Sequence, residues 1–238
     1  MILYYGYDIV SHVIIPEFIN FQPGEQLKTT PFSLPPELTD VFNAFKSPAD
    51  VQAYLDTTPY SPEDRNRCPV NVVKDRFAHC LDGGLFGALG LRCLGYPPVI
   101  VDLQSDEGLD DDHVLAVFRK NGLWGAVAKS NFNGLRMREP VFRTLRELAM
   151  SYFEDYFNVD GVKSLRFYTL PLDLTLLDSA NWMSDDRGCD KIEKLLKHRR
   201  RTRLVPAEVA SQLNRMDPLS YDAGMMGVNH AGLYKPRV

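Results

Sequence analysis

Residues 80–94, CLDGGLFGALGLRCL, place Leu81, Leu85, Ala88 and Leu89 at helical spacing, with Gly95 where a C-terminal cap belongs. That spacing predicts a buried helix. The same stretch carries Gly83, Gly84, Gly87 and Gly90, and each costs about 1 kcal/mol against alanine in a helix interior. Something in the fold must offset that loss. Positions 80, 83, 87 and 90 share one face, so a sheet or a ligand backbone can come close beneath the Cys80 side chain.

The flanking segments supply the sheet. PPVIVDL (97–103) reads as a buried strand, and the acidic loop QSDEGLDDD follows it. HVLAVFRKNGLWGAVAKSN is the best hairpin signal in the chain, because Asn121-Gly122 supplies the positive-φ residues of a two-residue turn between two apolar runs. With that turn His113 lies opposite Ser130; a loop one residue different places Lys129 or Asn131 there instead. Residues 140–157 read as an amphipathic helix opened by Pro140, with Leu145, Leu148, Ala149, Tyr152, Phe153 and Tyr156 on one side and an Arg143/Glu147 pair on the other. LRFYTLPL (165–172) reads as a further strand, and helices are expected around 187–199 and 206–215. Two short helices are expected near 36–46 and from Ser47, and TTPYSPEDRNRCP reads as loop. The core order is thus helix, strand, strand, strand, helix, strand, an α+β plan with a central helix packed on an antiparallel sheet. Three regions follow: residues 1–60 as an arm and short helices wrapping the core, 61–175 as the core, and 176–238 as a helical extension.

Composition narrows the class. With 27 basic and 31 acidic side chains in 238 residues the formal net charge is -4, which disfavours nucleic acid as a partner. Apolar runs fall well short of the ~20 residues of a membrane span, so no membrane partner is expected. The opening residues MILYYGYDIVSHVIIPEF alternate like a strand and lack the pattern of a secretory leader, which points to the cytoplasm. Cys68, Cys80, Cys93 and Cys189 share no C-x-x-C spacing, so free thiols are expected rather than disulfides or zinc, and neither metal nor cofactor is expected.

A thiol becomes a nucleophile when a helix N-terminus and a nearby imidazole favour its thiolate. Cys80 has the first, and His113 at the start of a strand offers the second. A Cys on a helix end, a His on one strand and an amide or hydroxyl on the next make the three-part arrangement of thiol hydrolases. The bland readings are an inert core cysteine and a satisfied structural histidine.

The run HCLDGGLFGALGLRCLGYPPVIVDL, then DDDHVLAVF and LWGAV, resembles the Cys-helix, His-strand and following strand of the transglutaminase-like, papain-related superfamily. Across roughly residues 57–172 the chain is also similar to an uncharacterised group of bacterial hypothetical proteins. The superfamily resemblance implies a papain-like core with Cys80 as nucleophile and His113 as general base. Its third residue is usually an Asp a few positions after the Trp of the second strand. Here Trp124 is followed by Gly-Ala-Val-Ala-Lys-Ser-Asn, which leaves Ser130 or Asn131 to orient His113, while an inward Lys129 would oppose its protonation. The implied reaction is attack on an amide or ester carbonyl, a thioester on Cys80, and transfer to water or an amine, with the Cys80 N–H as one oxyanion donor.

Other charged features have plainer accounts. Asp110, Asp111 and Asp112 read as a solvated loop or as ligands for a hard cation, with Asp112 placed to tune His113. The run 197–203, KHRRRTR, reads as a solvated helix end, or as a surface for an acidic partner or phosphate-bearing ligand. Arg136, Arg138, Arg143 and Arg146 offer positive charge for an anionic substrate group. His79 faces outward or caps, and the tail GMMGVNHAGLYKPRV docks or frays. Two classes survive: a cysteine hydrolase or acyltransferase acting on a peptide, protein or small amide or ester, and a module of the same fold that binds without turnover.

Overall fold

The computed structural model describes residues 32–236, so the expected N-terminal strand lies outside the described residues. Helices α1 (Thr39–Ala44), α2 (Pro48–Thr57) and α3 (Pro69–Asp75) precede the glycine-bearing α4 (Cys80–Cys93). Ser47 caps α2 through a reciprocal pair with Asp50, as Ser-Pro-Ala-Asp suggests. Then come β1 (Val99–Gln104), β2 (His113–Lys120), β3 (Leu123–Ala128), β4 (Arg138–Phe142), α5 (Leu145–Met150), β5 (Phe167–Thr169), β6 (Leu172–Asp173), α6 (Asp186–Lys197), β7 (Arg201–Arg203), α7 (Ala207–Ala210) and α8 (Pro218–Met225).

The strands make one antiparallel sheet in the order β4-β3-β2-β1-β5-β7, with β6 also on β1, so the chain is α+β. Asn121 and Gly122 both have positive φ (52° and 79°), and the hairpin pairs Leu115 with Ala128 and Lys120 with Leu123. The pairing stops at Leu115 and Ala128, two residues short of the expected juxtaposition of His113 and Ser130. Alternation splits the sheet into two cores. Ile100, Val114, Ala116, Phe118 and Val127 face α4, with α2, α3 and α6 around it. Val101, Leu103, Leu115, Val117, Ala126 and Ala128 face Leu148, Ala149, Tyr152 and Tyr156.

The glycines explain the closeness of α4. A methyl group on Gly84 would stand 2.6 Å from Val114 Cγ1, and one on Gly83 would stand 2.1 Å from Lys129 Cβ. The helix backbone lies directly on β2 and the end of β3.

Several expectations are corrected. Residues 140–157 are not one helix. Pro140, Val141 and Phe142 belong to edge strand β4, where Phe142 pairs with Trp124 and a missing proline N–H is tolerated. The helix starts only after Thr144, whose side chain accepts from the Glu147 N–H, and ends at Met150. Glu147 also accepts from the Arg143 N–H at 2.7 Å instead of pairing with its guanidinium. The strand expected at 165–172 is broken into β5 and β6, the helix expected at 206–215 is the single turn α7, and α3 and α8 lie almost wholly in stretches that carried no expectation of a helix. The basic run begins at a helix end as expected, with Lys197 in the last turn of α6 and His198 at its C-cap, but Arg201–Arg203 continue as β7, its two arginines 3.9 and 4.3 Å from the Phe167 ring centroid.

Candidate functional site

Cys80 is the first residue of α4. His79 caps the helix: its Nδ1 accepts from the Leu81 N–H, and the Asp82 carboxylate accepts from the His79 N–H. The second Asp82 oxygen accepts from the Arg67 N–H at 2.6 Å, and burial pushes this carboxyl up to about 7. Asp82 is therefore a brace for the helix start.

The half-buried Cys80 Sγ donates to the Asp112 carbonyl at 3.4 Å, and the Val114 N–H points at the same sulfur. It rests on the flank of β2 that β3, whose pairing stops at Leu115↔Ala128, no longer covers. Burial pushes the thiol up, and the negative charges of Asp111, Asp102 and Asp82 push it the same way. The resting group is a neutral thiol. The Tyr60 phenol oxygen lies beside the Cys80 backbone N–H.

His113 points to the opposite face of the sheet from α4, with its ring edge-on to Tyr152 and Tyr156 at 6.2 and 6.5 Å. Its Nε2 lies 2.7 Å from the Leu135 carbonyl. A carbonyl can only accept, so Nε2 carries the proton and Nδ1 keeps its lone pair. Burial holds this imidazole down at about 4. Leu135 is itself held by Arg138, which donates to the Gly134 carbonyl at 2.8 Å and to the Ser151 hydroxyl at 3.1 Å, stacks 4.0 Å from the Tyr152 centroid, and pairs with Asp155.

Cys80 and His113 both line one cavity of about 40 Å³, with Tyr60, Asp112, Ser130 and Tyr156 among its walls. No hydrogen bond joins sulfur to imidazole. At ~10–15 Å³ per water this space holds a few waters and no substrate.

The three residues after β3 separate. Lys129 turns toward α4, away from His113, and its Nζ donates to the carbonyls of Leu55 (2.9 Å) and Thr58 at the end of α2; burial pushes it down to about 8. Ser130 Oγ accepts from the Phe132 N–H at 3.0 Å. Asn131 engages the tail: its Oδ1 accepts from the Asn229 N–H at 2.8 Å, and its Nδ2 donates to the carbonyls of Asn229 (3.0 Å) and Gly232 (3.3 Å). The orienting contact to His113 thus comes from the Leu135 main chain and not from Ser130 or Asn131.

Sequence reasoning passed over Asp102. It is 2% exposed on the α4 face of β1, with Oδ2 accepting from Gln104 Nε2 at 2.8 Å and Oδ1 without a partner. Burial raises it well above the carboxylate range, and Asp112 adds to the rise. The apolar VIVDL run was the only signal for a buried carboxyl there. Among the described residues Asp110, Asp111 and Asp112 form no ion pair, and no group of His, Cys, Asp or Glu is arranged to hold a metal. Arg136 approaches Asp56 at 3.6 Å. No helix among the described residues is long and apolar enough to cross a membrane.

No family model matches the chain, and no curated protein is significantly similar to it.

Proposed function

We propose that the chain is a thiol-dependent amide or ester hydrolase or acyltransferase on a transglutaminase-like, papain-like core. Cys80 is the nucleophile and His113 the base. The observation that carries the reading is the single cavity shared by a helix-terminal sulfur and a histidine whose tautomer leaves Nδ1 as an acceptor.

The pair is neutral at rest, so the proton moves only when substrate is present. Sγ rotates off the Asp112 carbonyl, Nδ1 takes its proton, and sulfur attacks the carbonyl carbon. The tetrahedral oxyanion meets the Cys80 N–H once the Tyr60 phenol has been displaced. Collapse forms the thioester, and the leaving amine or alcohol departs with the proton from His113. Water or an amine then gives its proton to Nδ1 and attacks the thioester, and the departing sulfur takes that proton back from His113, which restores the thiol and releases the acid or amide. Four free cysteines suit a reducing compartment such as the cytoplasm.

The test is differential alkylation at neutral pH. In wild type, or in the tail variants described below if the tail shields the sulfur, Cys80 should react faster than Cys68, Cys93 and Cys189, and His113→Ala should remove that advantage. Equal rates would favour the second reading, a binding or scaffolding module without turnover. That reading draws on the thiol's contact with the Asp112 carbonyl in place of the imidazole.

A further inference from the structure

Residues 227–234 run along the Cys80 cavity, with Gly232 and Tyr234 among its walls. This stretch is fastened at Asn131 and Tyr60. Asn131 meets both the N–H and the C=O of residue 229, as a neighbouring peptide unit would, and reaches the Gly232 carbonyl as well. Asn229 Nδ2 donates to the Tyr60 carbonyl at 3.0 Å. Gly232 lies against the Tyr60 ring so closely that a Cβ there would stand 3.0 Å from Cδ1.

Beside the same stretch is a second cavity of about 450 Å³, lined by Thr57, Thr58, Lys129, Arg136, Gly227 and Asn229. Tyr60, Ser130 and Asn131 border both spaces. The outer one falls in the ~300–1,000 Å³ range of small-ligand sites, whereas the inner one admits only water. The Asn131–Asn229 clasp therefore stands between a chamber of useful size and the sulfur.

We propose that residues 227–234 are an autoinhibitory strap: they occupy, as an intramolecular competitor, a groove between Tyr60 and Asn131 that reads a peptide main chain, and they keep Cys80 closed until displaced. Asn131 binds only main-chain groups of the strap, and residues 230–232 form a 3-10 turn there, so a peptide that presents a tight turn with a small residue facing Tyr60 is the chemistry that replaces it. The inference rests on the reading of Cys80 as a nucleophile for its regulatory meaning, though the clasp itself does not.

The experiment uses the full chain. Asn229→Pro deletes the N–H that Asn131 accepts and the side chain that reaches Tyr60, at a φ of -78° that proline adopts. Gly232→Val pushes the strap from the Tyr60 ring by a different route. Both variants should alkylate Cys80 roughly tenfold faster than wild type or more, and a synthetic peptide of residues 227–236 added to them should slow the reaction again. If wild type and both variants label Cys80 alike, still ahead of the other cysteines and still dependent on His113, the strap is overturned and the nucleophile reading stands. If Cys80 never outruns the other cysteines, the nucleophile reading falls and a fluorescein-labelled form of the same peptide decides the strap. Binding to Asn229→Pro but not to wild type upholds the clasp; binding to neither overturns it.

Discussion

The Cys80 sulfhydryl donates to the carbonyl oxygen of Asp112, 3.4 Å away, and not to the imidazole of the next residue, His113. With the thiol pushed up by burial and by Asp111 and Asp102, no thiolate is stored. The rate of Cys80 alkylation should rise about tenfold per pH unit from about pH 7 to about pH 9 without levelling off. A plateau reached below neutrality, measured by peptide mass after timed iodoacetamide treatment, would contradict this.

Asp102 makes the complementary case. Its carboxyl is raised, so its contribution to stability is present below the unfolded carboxylate value of 3.8 and is lost as pH rises through the folded one. Asp102→Asn removes that dependence. In urea titrations the variant should gain on wild type as pH rises above the unfolded carboxylate value of 3.8. A variant that loses ground with rising pH would mean the carboxylate is held ionised.

His113 has the opposite sign. Its folded value of about 4 lies below the usual 6.5, so its stabilising contribution is complete above 6.5 and fades as pH falls toward 4. Between about pH 7.5 and about pH 5 the loss is roughly 2 kcal/mol. His113→Gln keeps a donor for the Leu135 carbonyl and should flatten the stability curve by about that amount. Part of the slope will survive, because burial also lowers His79 to about 4. An unchanged slope in the variant would show that His113 titrates normally.

Gly84→Ala sets helix propensity against space. Alanine gains about 1 kcal/mol in a helix interior, while a Cβ 2.6 Å from Val114 Cγ1 brings an overpacking cost of about 1–3 kcal/mol. Net destabilisation of about 1 kcal/mol is expected, and Val114→Ala in the same chain should recover part of it in thermal unfolding. If Gly84→Ala alone stabilised the protein, the close approach of α4 to β2 would be wrong.

What the sequence made legible was local. Asn121-Gly122 set the hairpin register, and the Leu and Gly spacing of 80–94 defined a helix and, at Gly83 and Gly87, the face it presses on the sheet, whereas Gly90 meets Val51 of α2 instead. Residues 140–157 were misread because Val141 and Phe142 fit a helical stripe as well as a strand, and only pairing with Trp124 decides between them. The residue that orients His113 was illegible for a deeper reason. A main-chain carbonyl carries no side-chain signature, so no pattern of Asp, Asn or Ser after Trp124 points to Leu135. Asn131 looked like an orienting amide, yet its partner lies 98 residues away along the chain.

Because the acceptor behind His113 is a backbone oxygen, no single substitution at position 135 short of moving the loop can delete it. The ring's tautomer is thereby insulated from drift in side-chain identity. Its vulnerability is transferred to Arg138, whose fork holds the 134–137 turn from beneath, so damage to the imidazole should arrive as lost alignment and not as lost chemistry.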